Sequence, residues 1–291
     1  MTKNLDLHEF SRISKGIFGN RWHYFGDHVA DFTPFIQSVY KACIDLKVID
    51  EHAPIRILRE IYNIGGRENF EDHYDQLLQK LAEILVMRQV VNMSWPDETF
   101  FEIEANAQGG RKKVDLVATV PDGKKYGFEV KAPKHTIRTR QRDAKQFQFP
   151  VRQGEGLPGI QAKSRDNTLL PRDNTLRSFL RSADEKFEAF KASSEFCGVL
   201  VIVWDDWVYE AIGALLNDRN GLLTPETYSV INGAPEVFRN VDSVMILRHL
   251  TYFTEAAAER GLPNGRLDSM HIGGAEANPN IAAKVSNLEL P

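Results

Sequence analysis

Cysteine is scarce in this chain: only Cys43 and Cys197 occur among its 291 residues. The two lie far apart in apolar surroundings, so two buried thiols of a reducing cytoplasm are favoured over a disulfide. Long apolar runs are also missing, because no stretch reaches the roughly 18–20 residues that a membrane span requires. The first ten residues, MTKNLDLHEF, lack the pattern of a signal peptide. A cytoplasmic protein without a membrane partner is therefore predicted.

A strong excess of one charge is absent as well. The formal net charge of −4 argues against binding nucleic acid through overall charge, although local basic surfaces stay open. Neither GxxxxGK followed by Ser or Thr nor GxGxxG occurs, so a nucleotide-driven motor is not expected. No Gly-x-Ser-x-Gly turn for an acyl-transfer triad occurs either.

The order of hydrophobic patterns predicts an α/β fold, with a central mixed β-sheet flanked by helices. The first 66 residues have helical spacing, and a long amphipathic helix begins after Asn69. From about 99 to 132 the period changes to two, which predicts three strands. A helix near 175–193 leads into CGVLVIVW at 197–204, an unbroken apolar run typical of a strand covered on both faces.

Three regions follow from this order: an N-terminal helical region (1–66), a core with most of the strands (67–210) and a C-terminal extension (211–291). The extension contains a further predicted strand at 244–253. From about residue 260 it is rich in Gly, Pro and Asn, which predicts a partly disordered tail or an arm.

The strongest chemical signal lies in one predicted hairpin, VDLVATVPDGKKYGFEVK. Its Pro-Asp-Gly turn suits a three-residue loop in which Val120 pairs with Lys124. This register sets Asp115 directly across from Glu129, on the face that Lys131 shares. The other face collects apolar and aromatic side chains: Val114, Leu116, Ala118, Val120, Tyr126, Phe128 and Val130. Because a slip of one residue would exchange the faces, the hydrophobic pattern supports the register independently.

Opposed carboxylates repel each other unless a cation lies between them. Mg²⁺ prefers oxygen ligands and retains several waters, so it would relieve the repulsion between Asp115 and Glu129, and Mn²⁺ is expected to substitute for it. The carbonyl oxygen of Val130 is a further candidate ligand. Lys131 would either orient and deprotonate an attacking water or stabilise charge on a phosphoryl oxygen. The pattern predicts a site for phosphodiester hydrolysis.

An aspartate, a spacer and Glu-x-Lys on adjacent strands resemble the PD-(D/E)xK nuclease superfamily. The resemblance covers residues from about 68 to 205, in the order helix, strand meander, helix, strand. It implies a restriction endonuclease-like core, metal-binding roles for Asp115 and Glu129, and a catalytic role for Lys131. Val114 stands where the motif has proline.

Many members of this superfamily draw a further acidic residue from the helix before the strands. Glu71, in the first turn at the edge of the apolar stripe, is the first choice and Glu68 the second. Glu83 is left out because it points about 180° from the stripe at about 100° per residue. A first-turn acid that is favoured only by the helix dipole is an equally open interpretation of Glu71.

A basic stretch follows the hairpin directly. Its candidate nucleic-acid contacts are Lys134, Arg138, Arg140, Arg142, Lys145 and Gln146. The cations would bind phosphates, and Gln146 resembles the glutamine that some superfamily members place on the next helix near the site. A solvated charged loop is the alternative. The expected partner is nucleic acid, with DNA favoured, and double-strand cutting would favour a homodimer.

The predicted function is a Mg²⁺-dependent DNA endonuclease of restriction or defence type. One alternative is a nuclease-like fold that binds nucleic acid without cutting it. Another is a glycosidase, since opposed strand carboxylates lie about 5 Å apart, near the retaining geometry. The glycosidase alternative does not account for Lys131 or for the basic stretch.

Overall fold

The computed structural model describes residues 7–65, 70–107, 112–134, 172–192, 195–204, 208–217, 221–227, 229–232, 234–247 and 269–273. Within these ranges the chain begins with helices, as predicted. They are α1 Leu7–Phe18, α2 Gly26–Ala30, α3 Pro34–Asp45, α4 Ala53–Ile64 and α5 Glu71–Val91. Pro34 and Pro54 occupy the first turns of α3 and α4, where a missing N–H leaves no hydrogen bond unmade. None of the helices in the described ranges has the length and apolar composition that a membrane span needs.

A six-stranded mixed sheet follows α5. Its strands are β1 Phe100–Asn106, β2 Lys113–Thr119, β3 Lys125–Lys131, β4 Phe196–Val203, β7 Ser243–Leu247 and β8 Ser269–Gly273, in the spatial order β1-β2-β3-β4-β7-β8. The first three strands form an antiparallel meander, β3, β4 and β7 are parallel, and β8 is antiparallel to β7. The remaining elements are helices α6 Arg172–Lys191 and α7 Val208–Leu216 and a small hairpin of β5 Val230–Ile231 and β6 Ala234–Pro235. The predicted α/β class with a mixed central sheet is confirmed.

The predicted register of the β2–β3 hairpin is also confirmed. The amide N of Val120 donates to the Lys124 carbonyl oxygen at 3.0 Å, and Gly123 adopts a left-handed φ of 88° in the turn. Pairing continues to Leu116 opposite Phe128. Period-two burial and turn chemistry agree here, so local sequence determines which faces the side chains occupy.

Two hydrophobic clusters cover the two faces of the sheet. The first joins helices α1–α5 to the sheet and contains, among others, Ile36, Leu58, Leu116 and Val130. The N-terminal helices therefore share one core with the strands. The second cluster is built by α6 and α7. All eight residues of β4 are buried, and they alternate between the clusters, which confirms a strand covered on both faces.

One sequence prediction needs correction. Val114 packs in the second cluster with Ala105, whereas Leu116 packs in the first. The β1–β2 pairing skips Glu104, which has a left-handed φ of 52°, at this point of the ladder. Strand β8 lies inside the tail whose composition predicts partial disorder or an arm, and it pairs with β7. The predicted strand at 244–253 coincides with β7 up to Leu247, and residues 248–253 lie outside the described ranges.

Candidate functional site

The candidate site lies at the end of the sheet where β2 begins and β3 ends. The Oδ2 atom of Asp115 accepts a hydrogen bond of 2.7 Å from the Val130 amide, so its side chain continues the ladder past the last backbone pair. Lys131 places its Nζ 2.7 Å from Oε1 of Glu129. The three residues that the sequence predicts for one face are thus brought together.

Glu129 is fully buried and lies between two lysines. Its Oε1 accepts from Lys131 and also from Nζ of Lys186, on α6, at 2.5 Å. Its Oε2 is buried and has no hydrogen-bond partner within the described part of the chain. A buried polar atom without a partner is unfavourable by about 1–3 kcal/mol. One carboxylate oxygen is therefore saturated, and the other can still accept a cation or a donor.

Burial raises the pKa of Asp115 from 3.8 to about 7. The negative charges of Glu129 and Glu83 act in the same direction, whereas the Val130 amide and Lys186 oppose them. Near neutral pH the Asp115 carboxyl is thus only partly ionised without a cation beside it. A divalent cation would favour its ionised form.

Lys131 has the opposite electrostatic balance. Burial by itself lowers its pKa, but the carboxylates of Glu129, Asp115 and Glu83 together outweigh this, and the pKa lies above the usual 10.5. Its amine is therefore protonated at neutral pH. Of its two predicted roles, stabilisation of charge fits this protonation state, and removal of a proton from water does not.

Helix α5 faces the site with a polar stripe of Asp72, Gln76, Gln79 and Glu83, which lie at a spacing of four, three and four residues. Gln79 joins the helix to the end of β3. Its Nε2 donates to the Val130 carbonyl oxygen and to Glu83 Oε1, each at 3.0 Å, and its Oε1 accepts from the Ala132 amide at 2.7 Å. The Val130 carbonyl, predicted as a metal ligand, is thus already an acceptor for an amide.

Glu83 is an acid that the sequence prediction set aside and that the structure brings to the site. It lines the same cavity as Asp115, and its Oε2 lies 3.1 Å from Nζ of Lys80. Glu71, the first choice from the sequence, lies in the first turn of α5 and is not among the residues that line this cavity. Glu68 lies outside the described residues.

A cavity of about 670 Å³ opens beside the carboxylates of Asp115 and Glu83. Its lining residues are Ile64, Asp72, Asp75, Gln76, Gln79, Lys80, Glu83, Glu104, Lys113, Asp115, Ala132, Lys134 and Lys186. Lysines and acids alternate around it: Lys113 pairs with Glu104 at 2.7 Å, and Lys134 lies 4.0 Å from Asp72. The other predicted nucleic-acid contacts, Arg138, Arg140, Arg142, Lys145 and Gln146, lie outside the described residues.

The donor set determines which metal the site fits. Within the described ranges no group of three or more His, Cys, Asp or Glu side chains is arranged to hold an ion. Asp115 and Glu129 supply two carboxylates, while both oxygens of Glu83 are bonded to Gln79 and Lys80. Mg²⁺ is commonly held by one or two carboxylates together with waters and substrate phosphates. The unpartnered Oε2 of Glu129 and the raised pKa of Asp115 fit such an ion.

Lys186 is a site residue that sequence reasoning missed. It lies seven residues after Phe179, at the margin of the apolar stripe of α6. The available signal was a lysine next to Phe187 on a helix that covers a sheet. The aliphatic stem of such a lysine can lie along the buried face while its ammonium group reaches a polar position at the edge. The carboxylate that it meets comes from a strand 57 residues earlier in the chain, so local sequence did not reveal the pair.

Comparison with protein-family models, with curated proteins and with solved structures gives no match to this chain. The resemblance to PD-(D/E)xK nucleases therefore rests on the motif residues Asp115, Glu129 and Lys131 and on the order of the elements around them.

Gln79→Leu is expected to destabilise the protein by about 1–3 kcal/mol, because it leaves the Val130 carbonyl and the Ala132 amide without their side-chain partner. Urea unfolding followed by circular dichroism measures the change. Gln76→Leu is the matched control, since Gln76 lies one turn earlier on the same polar stripe and is exposed. Equal losses in the two variants would contradict a bracing role for Gln79.

Proposed function

We propose that this protein is a Mg²⁺-dependent phosphodiesterase that acts on nucleic acid, most specifically a DNA endonuclease of restriction or defence type. The observation that carries the proposal is the position of two lysines beside a buried carboxylate that has one unpartnered oxygen. Within the described residues the Oε2 of Glu129 has no hydrogen-bond partner, Lys131 and Lys186 lie on its other oxygen, and the pKa of the neighbouring Asp115 is raised. A metal ion together with a phosphate group would satisfy both sets of charges.

The order of elements around the site supports a restriction endonuclease-like core. Helix α5, the antiparallel meander β1–β3, helix α6 and the parallel strand β4 follow one another in the order that the motif resemblance implies. The site lies where β3 ends. Ligands of α/β sheets commonly bind at the carboxyl ends of parallel strands.

In the proposed reaction a water oxygen bonds to phosphorus while the bond from phosphorus to the leaving ester oxygen breaks. The water loses a proton to solvent, and the leaving oxygen gains one. Asp115 and Glu129 would hold Mg²⁺, which when bound supplies Lewis-acid stabilisation of the phosphoryl oxygens. A lysine side chain of the site would donate hydrogen bonds to the phosphate. Glu83 and Gln79 brace the end of β3.

The lysines of the cavity support a polyanionic substrate. Lys113, Lys134 and Lys186 all line it, and the side chain of Lys134 is 62% exposed where the chain continues into the basic stretch. Contacts of this kind make affinity depend on salt and are largely independent of base sequence. For double-strand cutting, the protein would act as a homodimer with two sites related by a two-fold axis.

A non-cutting nucleic-acid-binding protein is the second candidate. The double ion pair of Glu129 favours it, because two lysines already neutralise this carboxylate without a metal. The two candidates share the same surface and differ in whether Asp115 and Glu129 recruit an ion.

Cleavage of supercoiled plasmid and of 5′-labelled oligonucleotides, with Mg²⁺, Mn²⁺ or EDTA, tests the proposal. The wild type is expected to cut with either metal and to stop in EDTA, while Asp115→Ala and Lys131→Ala still bind DNA but do not cut. Asp97→Asn, an exposed acid in the loop after α5, is the control and should cut normally. Binding without cutting under every metal would favour the second candidate, and EDTA-resistant hydrolysis of nitrophenyl glycosides would favour a glycosidase.

A further inference from the structure

Two lysines share one oxygen of Glu129, but they differ in their relation to the cavity. Lys186 is among the residues that line it, and Lys131 is not. The exposed fractions of the two side chains are nearly equal, 22% for Lys186 and 21% for Lys131. The two lysines therefore differ in position: Lys186 reaches Glu129 from α6 and borders the cavity, whereas Lys131 reaches it from the same strand.

We propose that Lys186 is the amine that contacts the substrate phosphate and that Lys131 acts through Glu129 as a positioning residue. This inference rests on the proposed phosphodiesterase function. It assigns the substrate contact to a side chain outside the Asp-spacer-Glu-x-Lys pattern.

The ion pair with Glu129 orients Lys186 before substrate arrives. An ammonium group has three N–H donors, and Glu129 Oε1 engages one of them at 2.5 Å. Within the described residues the other two donors have no partner, so they are available to phosphate oxygens. Because the side chain is already held by the carboxylate, less rotational freedom is lost when the phosphate binds.

The helix that carries Lys186 packs against the sheet. Ala183, Phe187 and Phe190 of α6 are buried in the second cluster against the sheet. A substrate contact on a packed helix is positioned more accurately than one on a loop. Lys131, by contrast, ends β3 next to Ala132, whose amide is fixed by Gln79, and its hydrogen bond to Glu129 lies within the same strand.

Single substitutions of lysine by methionine test the assignment, since methionine keeps the apolar stem and removes the charge. Lys186→Met is expected to weaken DNA binding in Ca²⁺ and to raise KM by about tenfold, as loss of a charged phosphate contact does. Lys131→Met is expected to lower kcat by about 100-fold with KM within about twofold, because it disturbs Glu129 and leaves the substrate contact in place.

Lys191→Met is the matched control. Lys191 lies on the same helix, its Nζ forms a 2.6 Å ion pair with Asp242, and its side chain is 24% exposed, close to the value for Lys186. It is expected to match the wild type in both kcat and KM. Fluorescence anisotropy with a labelled oligonucleotide and single-turnover cleavage provide the measurements. An unchanged KM in Lys186→Met, or a raised KM in Lys131→Met, would overturn the assignment.

Acetylation of the wild-type protein gives a second measurement that needs no folded variant. A bound oligonucleotide should protect Lys186 from acetic anhydride, as measured by mass spectrometry of the peptides, and should leave the reactivity of Lys131 unchanged. An unprotected Lys186 in a complex that does cut DNA would overturn this inference alone. A wild-type protein that neither binds nor cuts nucleic acid would overturn the proposed function, and the inference with it.

Discussion

Asp115→Asn is expected to abolish DNA cleavage and, at the same time, to stabilise the fold at neutral and alkaline pH. The carboxylate is destabilising in the metal-free protein, because burial and the neighbouring acids raise its pKa from 3.8 to about 7. A change of this size corresponds to a loss of folding free energy on the order of a few kcal/mol when the group is ionised. Asparagine keeps the size of the side chain and removes the charge, so the melting temperature should rise by roughly 5 °C at pH 8.

The pH dependence of this stabilisation has a definite sign. Below the unfolded pKa of 3.8 both states of the wild type carry the proton, and the two proteins should be equally stable in this respect. As the pH rises towards about 7 the unfolded state loses its proton first, so the wild type loses stability relative to Asp115→Asn. Above that value the difference should be constant. Differential scanning calorimetry from pH 4 to 9 measures it, with the exposed-acid variant Asp97→Asn as the control for surface charge.

Mg²⁺ provides the complementary test of the same carboxylate. Because the ion would stabilise the ionised form of Asp115, it should raise the melting temperature of the wild type at pH 8 and leave Asp115→Asn unchanged. A variant that melts at or below the wild-type temperature throughout this pH range would show that the buried charge is already compensated. Binding of a cation at Asp115 would then lose its main support.

Glu129→Gln should have the opposite effect on stability, together with loss of cleavage. The wild-type carboxylate compensates the ammonium groups of Lys131 and Lys186, at 2.7 and 2.5 Å from Oε1. A glutamine can accept a hydrogen bond but carries no charge, so two partly buried cations would remain uncompensated. Breaking a buried ion pair by removing one partner costs about 3–5 kcal/mol. Urea unfolding at pH 7.5 is the measurement.

A double-mutant cycle separates this electrostatic effect from general damage. In Glu129→Gln with Lys186→Met one of the two uncompensated charges is removed, so the double variant should be less destabilised than the sum of the single variants. Additive losses would mean that Lys186 and Glu129 do not interact in solution. If Asp115→Asn raises the free energy of unfolding and Glu129→Gln lowers it, then the lysines neutralise Glu129 and do not neutralise Asp115.

Local sequence determined the hairpin and the buried strand. The Pro-Asp-Gly turn set the pairing of Val120 with Lys124, and alternation then assigned Glu129 and Lys131 to one face of β3, because side chains in a strand repeat every two residues. Alternation fails between Val114 and Leu116, so the approach of Asp115 to β3 depends on its hydrogen bond to the Val130 amide. The apolar run of β4 likewise indicated a strand covered on both faces. For the turn and for β4, residues close together in the sequence determine the structure.

Tertiary structure alone decided which helical side chains complete the site. From Ile84 to Val90 every residue of α5 is buried, so this part of the helix has no single apolar face. The angle between Glu83 and the apolar stripe therefore did not predict which residues Glu83 contacts. Lys186 meets Glu129 only because α6 packs across β3, far from it in the chain. The rotation of a helix about its axis is set by the surfaces packed against it, whereas the two faces of a strand are set by its own backbone.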